Sequence, residues 1–249
     1  MNPTIMAGAL LIGYLLGAIS FARLIGRFIM PGEDLSKTTF AVAGVENPVE
    51  MTSVSATTVM MRKGAKYGCL TSILDILKVT LPTLFFRWQY PGEYYFLLTA
   101  VAGVAGHNFP IYYRFKGGRG VSPIFGGLLV IDWVAIPVTV LTSNLLGLVL
   151  FHDVFIAYTG FTVLLIPWMW LRYHDWAYVA YATAVTLLFF LAMIPESRQY
   201  YRAWRSGELA NIDVQEIMAA THMKYVIRLG QRLGLLKSKP ETDTGEPAA

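Results

Sequence analysis

The sequence predicts an all-α polytopic membrane protein of about seven transmembrane helices, N-terminus outside and C-terminus cytoplasmic. Three observations carry that expectation. Hydrophobic residues make up 55% of the 249-residue chain and charged residues only 14%, with a mean hydropathy of +0.50, well above the usual soluble domain. The apolar residues fall in runs close to the roughly 20 that a bilayer core requires at a helical rise of about 1.5 Å per residue. Aromatic residues gather near the ends of those runs, at Trp88, Tyr90, Trp133 and Trp168 to Trp176, where interfacial anchors sit. Packing between helices accounts for several of them equally well.

Taken in order, the first segment runs from Thr4 to Met30. It lacks a basic leader and a small-residue cleavage site, so it reads as a retained span rather than a signal peptide. Tyr67 to Phe86 and Tyr94 to Phe109 follow. Gly120 to Ile131 is too short to cross as an ideal span, and Trp133 to Phe151, Val154 to Leu171 and Trp176 to Ile194 complete the seven. On alternating loops, Lys37, Arg62, Lys63, Lys66, Arg114, Lys116 and Arg119 share one side with the tail residues Arg198, Arg202 and Arg205. The other side holds mainly Arg87 and Arg172, and that asymmetry sets the orientation.

Residues 1–207 thus form a membrane domain. Within it, Pro31 to Lys66 is a polar, small-residue loop long enough to be functional. Residues 208–237 include an Asp-x-x-Glu capping pattern at Asp213 and Glu216. The apolar and basic residues from Asp213 to Leu236 read as an amphipathic helix, lying on the inner membrane surface or docked on the loops. Residues 238–249 are too polar to fold alone. The single cysteine, Cys69, excludes an intrachain disulfide and reads as a small buried packing residue. The net charge of +4 forms no nucleic-acid-binding stripe, and the scattered histidines have no metal-ligand spacing.

Chemistry concentrates in two places. Lys116, Gly117, Gly118, Arg119 and Gly120 open the fourth segment. There glycines bare backbone N–H groups, cations add charge and a helix N-terminus adds its dipole, which together suit a phosphate. The same cations also serve the positive-inside rule. A second cluster joins Ser53, Ser55, Thr57 and Thr58 to Arg62 and Lys66, and holds a phosphate or headgroup unless it is a solvated loop. Asp75 and Lys78 lie on one helical face within a span, as a bundle-organising pair or part of a site. His107, beside the glycine loop, is a base, a phosphate ligand or the partner of a loop carbonyl.

These motifs, in order, resemble the bacterial acyl-phosphate:glycerol-3-phosphate acyltransferases of the PlsY type. The likeness is strongest at Gly106-His107-Asn108-Phe109-Pro110 and Phe115-Lys116-Gly117-Gly118-Arg119-Gly120-Val121, with Arg119 where a lysine is usual. Tyr14 to Phe21 is similar to that family's first span, with Ser20 where a proline is usual. Ala56-Thr57, Gly64 to Gly68 and Leu74 to Lys78 add to it. The family's serine and both asparagines are missing from their usual places around Ser53 to Thr58, Met61 holds an arginine position, and its His-Arg-x-Asn run becomes Glu196-Ser197-Arg198-Gln199.

The resemblance implies a seven-helix fold in the bacterial inner membrane. It implies acyl transfer from acyl phosphate to the 1-hydroxyl of glycerol 3-phosphate, without metal, coenzyme A or other cofactor. It assigns catalysis to Arg119, Lys116 and Ser53. Substrate binding falls to His107, Gly117, Gly118, Gly120, Ser55, Thr57, Thr58, Arg62, Lys66 and Arg198. The partners are the two substrates and membrane lipids, with no nucleic acid. A second reading, fed by the altered motifs, is a non-catalytic paralogue that binds acyl phosphate or lipid phosphate, or an acyltransferase with a changed acceptor. Acyl-chain length and oligomeric state are open.

Overall fold

Helix α1 (Pro3–Gly17) starts on a strong signal: Asn2 caps it, its side-chain oxygen accepting from Thr4 N at 2.9 Å, and Pro3 occupies the first turn, where its missing N–H is harmless. The computed structural model describes residues 1–32, 35, 38–40, 49–51, 53–151, 154–205 and 224–234. The first apolar segment is not one helix. It breaks after Gly17, and Ser20 caps a second, amphipathic helix α2 (Phe21–Ile29) by accepting from Arg23 N at 3.4 Å. Ser20 therefore starts the second helix at the place where the resemblance puts a proline.

The loop expected from Pro31 to Lys66 holds a short antiparallel ribbon, β1 (Thr38–Phe40) and β2 (Val49–Met51), with Thr39 opposite Glu50. It also holds a helix, α3 (Ala56–Lys63). Helices α4 (Ala65–Gln89), α5 (Tyr95–Asn108), α6 (Val121–Ile131) and α7 (Ala135–Leu145) follow. A π-helical turn at Leu146–Leu150 extends α7. Helix α8 (Val154–Tyr173) leads to α9 (Trp176–Arg205), which continues well past the Ile194 limit expected for the last span. Of the predicted amphipathic helix, α10 (Lys224–Arg232) is described. It docks Ile227, 2% exposed, on the main core while Leu229 and Leu233 stay exposed. The capping pattern at Asp213 and Glu216, Lys37 and the tail beyond 234 lie outside the described residues.

Among the described residues, four stretches are long and apolar enough to cross a membrane unaided: Pro3–Ile29, Ala65–Gln89, Phe155–Tyr173 and Trp176–Pro195. The chain is a multi-pass membrane protein. Its outward faces carry Leu11, Leu81, Phe85, Leu141 and Leu187, which suit lipid, and Trp88, Trp133 and Trp176 are exposed near helix ends. Cys69 is exposed near the start of α4, against the expectation of a buried packing residue.

Inside, α1 lies against α5, α4 runs between α5 and α6, and α8 joins α7 to α9. The core joins Val79 of α4, Val104 of α5, Ile124 and Leu128 of α6, Leu165 of α8 and Phe189 of α9. Lipid tails are as apolar as leucine, so helices in a bilayer gain most from close backbone approach. The α1–α5 seam does this with glycine: a Cβ at Gly17 would strike the Gly103 carbonyl, and one at Gly106 would strike the Tyr14 carbonyl. Tyr14 then ties the seam's end by donating its hydroxyl to Phe109 O at 2.7 Å.

Candidate active site

The last turn of α5 buries His107 and Asn108, and the chain then turns through Pro110 and a 3-10 turn at Ile111–Tyr113. Arg114 and Phe115 take positive φ values of 52° and 61°, a conformation that costs a residue with a side chain roughly 1–2 kcal/mol. The turn holds because Phe115 N donates to Pro110 O at 3.0 Å and Lys116 N to Tyr113 O at 3.1 Å. Arg23 of α2 fastens the same turn, donating to Lys116 O at 2.8 Å while its guanidinium lies 4.5 Å from the Tyr113 ring centre.

Gly117 and Gly118 return flat against the end of α5. Gly118 N donates to His107 O at 3.2 Å, and Gly117 O accepts from Val54 N at 3.1 Å. A Cβ on Gly117 would strike the His107 and Asn108 carbonyls, and one on Gly118 would strike His107 Nε2. Gly120, at φ 92°, is the N-cap of α6. The N–H groups of the first helical turn, at Val121 and Ser122, therefore have no acceptor within the helix, which is the arrangement that attracts an anion. Asn108 donates to Leu188 O at 2.9 Å, whereas its Oδ1 faces Gly120 without a hydrogen-bond partner.

The second cluster folds onto this loop. Thr58 is fully buried, its hydroxyl donating to Ser53 O at 2.8 Å and accepting from Ser55 N at 3.4 Å. It shapes the entry to α3 instead of reaching a ligand. Ser53 is buried as well, its Oγ without a hydrogen-bond partner.

Beneath both clusters lies a buried ionic group. Lys78 Nζ is 2.7 Å from Asp75 Oδ1, 2.7 Å from Ile19 O and 3.0 Å from His107 Nδ1. The i,i+3 spacing on α4 brings Asp75 and Lys78 together. The carbonyl of Ile19 is available only because the first segment breaks there.

A cavity of about 390 Å³ opens beside this group, and its two ends differ in chemistry. Ser55, Thr57, Ser72, Asp75, His107, Arg119, Gly120 and Ser122 line the polar end, and Ser72 Oγ lies 3.3 Å from Ser122 Oγ. Ile76, Phe125, Val140, Ala157, Tyr158 and Phe161 line the apolar end, between α4, α6, α7 and α8. Of the residues predicted from sequence, Ser55, Thr57, His107, Arg119 and Gly120 meet in this cavity. Gly117, Gly118, Ser53 and Thr58 build its rim without lining it. Lys116 and Lys66 are exposed, Arg62 is half-buried, and Arg198 is exposed on α9; none of these four lines the cavity. Sequence reasoning missed Ser72, Ser122, Asn144 and Tyr158. Ser122, next to the glycine loop, was findable; the others come from three separate helices with no motif around them.

The glycerol-3-phosphate acyltransferase family model matches residues 7–231 of the chain. A protein of that name from Photorhabdus laumondii is 28% identical over 206 residues, 82% of this chain and 85% of the relative. One from Anaeromyxobacter sp. (strain Fw109-5) is 32% identical over 142 residues, 55% of this chain and 64% of the relative. The crystal structure of PlsY (YgiH), an integral membrane glycerol 3-phosphate acyltransferase, in its glycerol 3-phosphate form superposes with a TM-score of 0.64 at 23% identity. It covers 82% of this chain and 93% of that one. At that identity the superposition establishes a shared fold.

Proposed function

From the premise that the chain belongs to the glycerol-3-phosphate acyltransferase family, we propose that it moves a fatty acyl group from acyl phosphate to the 1-hydroxyl of glycerol 3-phosphate, making lysophosphatidic acid for phospholipid synthesis. The observation that carries this reading is the cavity with one cationic, hydroxyl-rich end and one apolar end. An acyl phosphate is built the same way. Its anionic head meets Arg119 and the open N–H groups of α6, and its chain enters the lobe between α6, α7 and α8.

The donor is an activated mixed anhydride, so the protein's task is mainly positioning and charge stabilisation. The 1-hydroxyl oxygen attacks the acyl carbon, the ester C–O bond forms as the C–O bond to phosphate breaks, and the hydroxyl proton leaves with the released phosphate. Arg119 and the α6 N-terminus stabilise the oxygens on which charge develops. Lys116, at the rim, draws the anionic substrates inward. Ser55 and Thr57 face the same end and suit the acceptor's polar groups. The family match across most of the chain favours this reading over a non-catalytic paralogue.

The site belongs on the cytoplasmic face of the bacterial inner membrane. On this reading α1, α4, α5, α6, α7 with its π turn, α8 and α9 are seven passes that alternate in direction. Their site-side ends carry Arg23, Arg62, Lys63, Lys66, Arg114, Lys116 and Arg198, against Arg87 and Arg172 at the other ends, which supports N-terminus out and C-terminus in. Helix α6 has only 11 residues, about 16 Å against a core of about 30 Å. Contact of Ser122 with Ser72, seven residues into α4, accounts for this. It puts the start of α6 roughly 10 Å below that of α4, so acyl phosphate reacts beneath the headgroup plane with its chain still in an apolar setting.

The test is phosphate release from palmitoyl phosphate by the purified, detergent-solubilised protein, with and without glycerol 3-phosphate. Acceptor-dependent release that falls roughly 100-fold or more in Arg119→Ala is expected, the scale on which one charge-stabilising donor acts. Folded protein that binds acyl phosphate but releases none would overturn the enzymatic reading.

A further inference from the structure

We propose that Lys78 is a positioning residue that fixes His107 as the neutral tautomer with its proton on Nε2, so that His107 serves the reaction as a hydrogen-bond donor at the polar end of the cavity and not as a proton acceptor. The proposal rests on the acyltransferase reading for its use in catalysis, although its structural half stands alone.

A lysine ammonium has three N–H donors and no acceptor. Lys78 Nζ has three neighbours within 3.0 Å: Asp75 Oδ1 at 2.7 Å, Ile19 O at 2.7 Å and His107 Nδ1 at 3.0 Å. Ile19 O accepts one N–H, and Asp75 balances the charge as an ion pair whose Oδ1 makes no hydrogen bond; toward an ammonium, which cannot accept, Nδ1 can only be the acceptor, so its lone pair is taken. The competing arrangement puts a proton on Nδ1 and aims it at Asp75. That distance is 3.6 Å, beyond a hydrogen bond, and the proton would face the ammonium at 3.0 Å. Charge balance agrees. Asp75 and Lys78 are 1% and 7% exposed and cancel, whereas a charged His107, 8% exposed, would leave a net buried cation, which is costly.

With Nδ1 engaged, the proton sits on Nε2. That nitrogen lies beside Gly118, on a residue that lines the cavity next to Arg119. Gly118 carries no side chain to cover it. The imidazole therefore offers one N–H to a ligand oxygen, a fixed donor beside the α6 N-terminus. Lys78 does this from behind, touching neither cavity nor substrate, and its bond to Ile19 O ties the α1–α2 break into the same group.

The structural half is tested by nitrogen NMR of the full-length protein in detergent with histidine ring nitrogens labelled, His107 being assigned by loss of its signals in His107→Gln. A single neutral tautomer with a protonated Nε2 and a hydrogen-bonded, unprotonated Nδ1 at neutral pH is expected. Two exchanging tautomers are expected in Lys78→Met. An imidazolium or a proton on Nδ1 in the unsubstituted protein would overturn the assignment, with no need for any variant to fold. The functional half is tested by kcat/KM for glycerol 3-phosphate. His107→Gln, whose amide N–H reaches toward the Nε2 position, is expected to lose less than His107→Phe. His107→Phe should lose roughly 10- to 100-fold, as for one hydrogen bond to a charged group. Equal loss in both, with both folded, would sink the donor role. Absence of turnover in the unsubstituted protein with the tautomer intact would instead strike the acyltransferase reading alone.

Discussion

Asp75 and Lys78 show how much a single pair of residues reveals before any fold is known. Their spacing places them on one helical face inside an apolar run, so the pairing is readable from sequence; the third and fourth members, His107 and the Ile19 carbonyl, are not, because they arrive from other helices. Asp75→Asn strands the Lys78 ammonium in the interior. A cost of about 3–5 kcal/mol is expected from leaving one buried charge uncompensated, read as a lower thermal midpoint in detergent. Adding Lys78→Met should recover part of that loss, since the stranded charge is then gone, and a double-mutant cycle measures the coupling. At Gly118 the bare N–H that the sequence offers to a phosphate is given to His107 O instead, so the glycine needs another reason. The structure supplies one: any Cβ meets the His107 ring. Gly118→Ala should therefore abolish most acceptor-dependent turnover while costing about 1–3 kcal/mol of stability, the usual range for overpacking.

Hydropathy locates elements well and breaks within them poorly. The apolar run from Thr4 to Met30 gives no hint of ending, because Ala18, Ile19 and Ser20 keep it apolar or small; only the cap geometry at Ser20 divides α1 from α2. The ribbon β1–β2 was equally hidden, being six residues in a polar stretch. The brevity of α6, in contrast, was legible, and its reason, contact with the middle of α4, was not. The α1–α5 seam gives the sharpest test of packing between elements. Gly17→Val should weaken the fold by about 1–3 kcal/mol or more through backbone overlap with Gly103, while a change at the unhindered Gly8 on the same helix should be nearly silent. At the turn between α8 and α9, Asp175 accepts from the Tyr94 hydroxyl at 2.5 Å and from Ala177 N at 2.8 Å. The Tyr94 bond, helped by Ala177, holds its carboxyl below the usual carboxylate range. The stabilisation is present above about pH 4 and disappears as pH falls through the lower folded value. Asp175→Asn should thus lower the thermal midpoint at neutral pH and make no difference in strong acid.

At the scale of the molecule, the charge asymmetry between helix ends predicts a labelling pattern. In a Cys69→Ala background, a cysteine at Lys66 should react with an impermeant maleimide only from the cytoplasmic side, and one at Asp175 only from the outside. The reverse pattern would invert the topology. Both assignments were available from the distribution of arginine and lysine. What no linear reading contained is which helices touch, and this matters for more than stability. The hydroxyl of Tyr14 on α1 bonds a carbonyl 95 residues later, so α1 meets its glycine-lined partner only after two more passes have been made. At a synthesis rate of about 5–20 residues per second, the first helix spends roughly 5–20 s in the bilayer with its groove facing lipid. A newborn chain thus leaves that groove open to wrong partners throughout the interval, until the end of α5 has been made.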